Sequence, residues 1–458
     1  MKKSFLLLLL AAAPRFAYAQ QFISDSALRA IVQERVATKR AMGVVVGVVE
    51  KGKAPRIQTA GVSGLSGVPL DGNTVFEIGS ITKTFTGALL ADMVARGEVK
   101  LEDPVAKYLP KSVRMPMRSG KQITLLDLAT QSSGLPRLPN NMKPADFNNP
   151  YADYSVQQLY DFLSSYTLTR DPGATYEYSN LGVGLLGHVL SLRAGKPYEQ
   201  ILIERILDPL GMNDTRITLT PSMKQRMAQG FDAQGTPTRT WDLPTLAGAG
   251  ALKSTANDML KFLAANLDST STSIGKILAS AKTARHDADR PGNSIGLAWH
   301  IVDVYGTTAT WHNGGTAGFR TFIGMDDVRH RGVIVLTNSA NTPDDIGFHV
   351  LEPKVELAAP PGQGKQRKEI VVEAAKLEPL TGVYQLAPDF QLTVTREGPA
   401  LFAQATGQPK FPLFAEAETE FFLKVVDAQL SFVKDANGQF NSIVLHQGGA
   451  NIPGKRVK

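Results

Sequence analysis

The chain reads as an α/β (α+β) protein in which a helical stretch divides one sheet, followed by a small all-β module. Three observations carry that reading. A β-branched run at residues 42–49 and strand-like segments between residues 295 and 337 stand far apart, as two parts of one sheet would. Residues 101–240 between them mix helical periodicity with Pro- and Gly-rich loops and show few alternating strands. Past residue 368 the pattern changes to strand-like alternation.

In order, residues 26–39 show an amphipathic helical stripe of Leu28, Ile31, Val32 and Val36. The run at 42–49 follows as a buried strand, then short strands at 56–60 and 74–78, with a glycine-rich turn region at 61–72 between them. A long helical pattern starts at Ser80 and runs to about residue 95. Helical segments at 155–164, 181–192 and 198–206 make up the insertion. Thr255 with Asp258 forms an N-cap pair for a helix after residue 255. Strands are expected at 295–302, 308–312, 321–325 and 332–337. Residues 359–368 are a polar Pro/Gly linker, which sets the expected division into a unit at 20–358 and a β-module at 369–458. Within the module, strands are expected at 390–395, 400–404, 420–425, 429–434 and 440–446, with a hairpin turn at Asp435-Ala436-Asn437-Gly438.

The first 19 residues have the form of a secretory leader: Lys2 and Lys3, an apolar stretch at 5–13 too short to span a bilayer, and a cleavage site at Ala17-Tyr18-Ala19. Export to the periplasm or beyond is the expectation, with no membrane span in the mature chain. Removing Lys2, Lys3 and Arg15 lowers the formal charge from +7 to +4, ordinary for a soluble protein. The basic end Lys455-Arg456-Val457-Lys458 reads as a solvated tail. No basic stripe with interleaved aromatics suggests a nucleic-acid partner. The chain has no cysteine, which excludes disulfides, thiolate metal sites and cysteine nucleophiles together. The histidines are scattered without metal-ligand spacing, so neither metal nor cofactor is expected.

Three motifs carry chemistry. In Ser80-Ile81-Thr82-Lys83, residues i and i+3 share a helix face, so the lysine amine can reach the serine hydroxyl. Serine needs a base to become a nucleophile, and a lysine serves once burial or a nearby charge lowers its pKa. The same spacing recurs at Ser273/Lys276 and Ser431/Lys434; only Ser80 follows an apolar strand and a glycine. In Tyr178-Ser179-Asn180 the phenol can relay a proton, and the amide can hydrogen-bond a substrate amide and the lysine. Tyr176 beside it reads as a packing residue. In His312-Asn313-Gly314-Gly315, small residues after a strand let a substrate backbone approach, and the N–H groups of Gly315 and Ser80 can form an oxyanion hole.

In this order the three motifs resemble those of the penicillin-recognising serine hydrolases, nearest to class C β-lactamases, D-Ala-D-Ala carboxypeptidases and family VIII esterases. Phe76-Glu77-Ile78-Gly79, Ser133-Gly134-Leu135-Pro136 and Ile206-Leu207-Asp208-Pro209-Leu210-Gly211-Met212 look like the family as well, over about residues 26–350. The resemblance implies an antiparallel sheet flanked by helices, a mostly helical domain, and catalysis by Ser80, Lys83 and Tyr178. Asn180, His312, Gly314 and Gly315 would hold the substrate. The β-module looks like a lipocalin-like appendage. The leading expectation is a class C-like β-lactamase acting on a small-molecule or peptide substrate. The alternatives are a D-Ala-D-Ala carboxypeptidase or endopeptidase, a family VIII-type carboxylesterase, and a non-catalytic penicillin- or peptidoglycan-binding protein. His312 departs from the lysine that opens the third motif of class C enzymes; an imidazole carries only partial charge near neutral pH. Arg137, in the loop after Gly134-Leu135-Pro136, is a candidate substitute cation, but the preferred reading of it is an ordinary solvated loop arginine.

Overall fold

The structure, a computed structural model, describes residues 22–268, 271–360, 369–387, 390–406, 410–423, 428–435, 437–447 and 450–458. The expected leader, most of the expected linker and Ala436 of the expected turn lie outside the described residues.

Residues distant in sequence form one antiparallel sheet of eight strands. Its order is Arg56–Gly61, Gly43–Glu50, Arg331–Thr337, Arg320–Asp326, Thr307–Gly315, His300–Val304, Ser294–Ile295 and His286–Asp287. The two halves of the chain meet where Gly43–Glu50 pairs with Arg331–Thr337, in the register Val46↔Val335. The unbroken apolar run follows from burial on both faces. Val44, Val46 and Val48 pack with the helices Asp25–Ala37 and Asp344–Leu351, while Val45 and Val49 join the opposite core.

On that second face, Thr82–Ala95 is buried continuously from Thr82 to Met93. Phe85 stacks on Phe262 at 4.1 Å between ring centroids. Helices Leu125–Ala129, Val156–Ser165 and Asn180–Ala194 form the insertion, the first two opened by capping boxes Thr124/Asp127 and Ser155/Gln158. The helix expected over 198–206 is present, α-helical at Tyr198–Leu202 and π-helical at Ile203–Leu207.

Two strand expectations change. The segment 74–78 contributes Val75–Glu77, which pairs with Lys253–Thr255 in a separate ribbon. The strand expected over 295–302 is broken into Ser294–Ile295 and His300–Val304, with Ala298 at φ +64° between them.

The C-terminal residues form a closed barrel of eight strands in sequence order, from Gly382–Ala387 to Ala450–Arg456. Its interior is filled by side chains including Tyr384, Leu401, Phe421, Phe432 and Ile443. The basic end is not a free tail: Tyr384 pairs with Arg456 to close the barrel, and the Arg456 guanidinium donates to the Pro379 carbonyl at 3.2 Å. Among the described residues no helix is long and apolar enough to cross a membrane.

Candidate active site

Ser80 sits in a 3-10 turn, Gly79–Ile81, that feeds the buried helix Thr82–Ala95. Gly79 makes the turn with φ +50°, and a Cβ there would lie 2.6 Å from the Gly315 nitrogen. A Cβ on Gly314 would fall 2.0 Å from the Ile78 carbonyl oxygen. Glycine at both positions therefore lets the end of strand Thr307–Gly315 press against the turn that carries Ser80. Thr321, on the next strand, clamps the contact by donating to the Ile78 carbonyl at 3.0 Å. This brings the backbone of Gly315 beside the turn that carries Ser80.

One face of the helix holds the segment that lies over it. Thr82 Oγ1 accepts from the Leu252 amide at 3.1 Å, and Thr86 donates to the Gly248 carbonyl at 2.8 Å. Between them Lys83 Nζ lies 2.6 Å from the Ala249 carbonyl oxygen and 2.9 Å from Ser80 Oγ. Lys83 is 0 % exposed. Burial holds its amine well below the ordinary lysine range, and the Arg137 charge pushes the same way.

Tyr178 is delivered from the other side. Ser179 caps the helix Asn180–Ala194, accepting from Gly182 N at 2.8 Å, and donates to the Pro136 carbonyl at 2.6 Å. The Tyr178 ring then stands 4.9 Å from Lys83 Nζ, and the Arg137 guanidinium lies 5.0 Å from the same ring. Burial pushes the Tyr178 phenol up to about 12, while the Ser80 hydroxyl and Arg137 pull it back. The phenol is thus a proton donor near neutral pH. Arg137 is exposed, and its guanidinium lies against the Tyr178 ring.

Asn180 does not hydrogen-bond Lys83. Its amide donates to the Tyr151 hydroxyl at 3.1 Å, and its Oδ1 is buried without a partner. Tyr176 is not merely packed: its hydroxyl meets His300 Nε2 at 2.9 Å.

His312 overturns the expectation of partial charge. It is 1 % exposed, and its ring lies 5.1 Å from that of His300. Burial, then His300 and Lys83, hold it well below the ordinary imidazole range, so it is neutral at neutral pH. Its Nδ1 lies 2.5 Å from the Asn313 carbonyl, an acceptor only, so Nδ1 carries the proton. Nε2 is left as a buried, unpartnered acceptor.

The structure thus brings Ser80, Lys83, Tyr178, His312, Gly314 and Gly315 together, with Asn180 behind Tyr151. Sequence reasoning missed Ala249, Tyr151 and His300. Ala249 acts through a backbone carbonyl and leaves no sequence signal. Tyr151 and His300 belong to no motif; only their meeting in space marks them. Among the described residues no cluster of His, Asp or Glu is arranged to hold a metal ion.

A family model described as Beta-lactamase matches residues 28–349, and one described as a domain of unknown function matches residues 366–455. The chain is 31% identical over 301 residues to the D-alanyl-D-alanine-carboxypeptidase/endopeptidase AmpH of Escherichia coli (strain K12), covering 61% of this chain and 76% of that protein. A Beta-lactamase of the same organism is 28% identical over 367 residues, covering 72% of this chain and 93% of the other. A Beta-lactamase/D-alanine Carboxypeptidase from Yersinia pestis, solved with citrate, superposes with a TM-score of 0.62 at 25% identity, covering 72% of this chain and 99% of that one. The chain belongs to the Beta-lactamase family and is a serine hydrolase.

Proposed function

We propose that this enzyme opens the amide bond of β-lactams by way of an acyl-enzyme on Ser80, as a class C-like β-lactamase. The observation that carries the reading is the buried amine of Lys83 at 2.9 Å from Ser80 Oγ, with burial favouring its uncharged form. Ser80 attacks the carbonyl carbon as Lys83 takes its proton. The oxygen's developing charge rests on the N–H groups of Ser80 and Gly315. The C–N bond breaks as the Tyr178 hydroxyl protonates the departing nitrogen. The Lys83 ammonium then returns a proton to Tyr178, so both groups end acylation as they began it. Water hydrolyses the ester, with neutral Lys83 as the available base.

A second reading, a D-Ala-D-Ala carboxypeptidase, is favoured by the neutral His312 where class C enzymes resemble one another in carrying lysine. Intact-protein mass spectrometry of the protein mixed with a penicillin, sampled over time, separates the two. A Ser80-dependent adduct that vanishes as hydrolysed drug accumulates supports the β-lactamase. A persistent adduct supports the peptidase. Absence of any adduct, with rapid cleavage of short p-nitrophenyl esters, points to an esterase and removes both.

The division at residues 359–368 into a hydrolase unit and a lipocalin-like module is part of this proposal. It is supported by two apolar cores that share no residue among those described. Export to the periplasm is likewise proposed, on the leader pattern of residues 1–19.

A further inference from the structure

A substrate that ends in a carboxylate needs a cation near its leaving group. Both a β-lactam and a D-Ala-terminated peptide place a carboxylate one carbon from the nitrogen that departs. In the proposed mechanism that nitrogen lies against Tyr178. His312 cannot supply the charge, being neutral and buried. Lys83 is enclosed and engaged by Ser80 and Ala249. Arg320 lies against Gly315, but its guanidinium donates to the carbonyls of Thr316 and Phe319 and feels the charge of Asp344.

Arg137 differs from all three. Its guanidinium is 5.0 Å from the Tyr178 ring, and its charge is felt at Lys83, Tyr151, Tyr176 and Tyr178 alike. Among the described residues no carboxylate pairs with it, and the residue is open to solvent. Its backbone is fixed on both sides. The Leu181 amide donates to the Arg137 carbonyl at 3.2 Å, and Ser179 holds the preceding Pro136 carbonyl. A charged side chain on an anchored loop, without a partner and over the general acid, is placed to receive an anion.

We propose that Arg137 is the residue that binds the substrate's free carboxylate beside Tyr178, so that the enzyme selects acyl donors carrying one. This rests on the reading of Ser80 and Tyr178 given above. Guanidinium and carboxylate pair through two parallel N–H···O bonds, which also orient the scissile amide toward Ser80.

The test compares a penicillin with its methyl ester, which lacks the anion. Mass spectrometry gives the rate of Ser80 acylation against concentration for the parent protein, Arg137→Gln and Arg137→Lys. The parent is expected to react faster with the free acid. Arg137→Gln should lower the acylation efficiency with the acid by about 10- to 100-fold, chiefly through weaker saturation. Its effect on the ester should stay within about threefold, and Arg137→Lys should recover only part of the loss, because a point charge still attracts the carboxylate but cannot hold it through two parallel bonds. Equal losses on acid and ester would overturn the assignment and make Arg137 a support for Tyr178 instead. A parent protein acylated by neither compound would overturn the acyl-enzyme reading itself, and the carboxylate anchor with it.

Discussion

Ser80 and Ser431 each stand three residues before a lysine, in different parts of the molecule, and the two pairs behave differently. Ser80 opens a helix, and Lys83 folds back onto it at 2.9 Å inside a closed core. Ser431 lies on a barrel strand, where its hydroxyl donates to Glu420 Oε2 at 2.5 Å and meets His446 Nε2 at 2.7 Å. Lys434 is exposed, its amine 5.1 Å from the Phe440 ring centroid. A third pair, Ser273 and Lys276, does share a helix, but both residues are exposed. Helical register makes the neighbours meet; burial then strips water from the amine and makes it a base. Only Ser80–Lys83 has both.

The sharpest way to break the comparison is to remove the nucleophile. Ser80→Ala should abolish the covalent adduct and lower kcat/KM by at least about 10^4-fold. Full activity in that variant would sink the catalytic assignment altogether. Lys83→Met keeps the stem and removes the amine; acylation should slow by about 10^3-fold. A change of less than tenfold would mean another group takes the serine proton. Tyr178→Phe should cost about 10^2-fold, and more for a poor leaving nitrogen than for an activated ester. Equal losses on amide and ester would argue against a proton-donor role. Gly314→Ala forces a Cβ toward the Ile78 carbonyl, 2.0 Å away before relaxation. It should reduce kcat by roughly 10- to 100-fold through displacement of the Ser80 turn, with a lowered Tm as an independent reading. Last, Ser431→Ala should leave kinetics unchanged within about twofold; a large loss there would show that the barrel pair acts in the same reaction.

Much of the sheet was legible because its signal is local. The valines at 44, 45, 46 and 48 have to be buried on both faces, and the sequence spacing of the two strand groups says the sheet is split. In the barrel, strands Lys410–Ala415 and Ala450–Arg456 were missed because each contains a proline, which lacks the ladder N–H and reads as a break. The strand Gly382–Ala387 was missed as well; it opens on a glycine at φ +150°. The site divides along the same line. Ser80, Lys83 and Tyr178 were legible because motif spacing is sequence-local. The charge state of His312 was not, because it depends on His300, which reaches it from the neighbouring strand. The position of Arg137 over Tyr178 was not, because hydrogen bonds between two loops set it.

The central claim is that Lys83 is already deprotonated when it meets Ser80, and the pH dependence of acylation tests it most directly. The base works only as the free amine, so acylation is lost as pH falls through the Lys83 pKa. With that pKa well below the ordinary lysine value, the rate of Ser80 acylation by a penicillin should reach its plateau well before the pH at which an ordinary lysine titrates, and fall on the acid side of it. Tyr178, protonated up to about 12, should add no alkaline decline short of that. A rate that instead keeps rising about tenfold per pH unit up to about pH 10, where an unperturbed lysine titrates, would contradict the account.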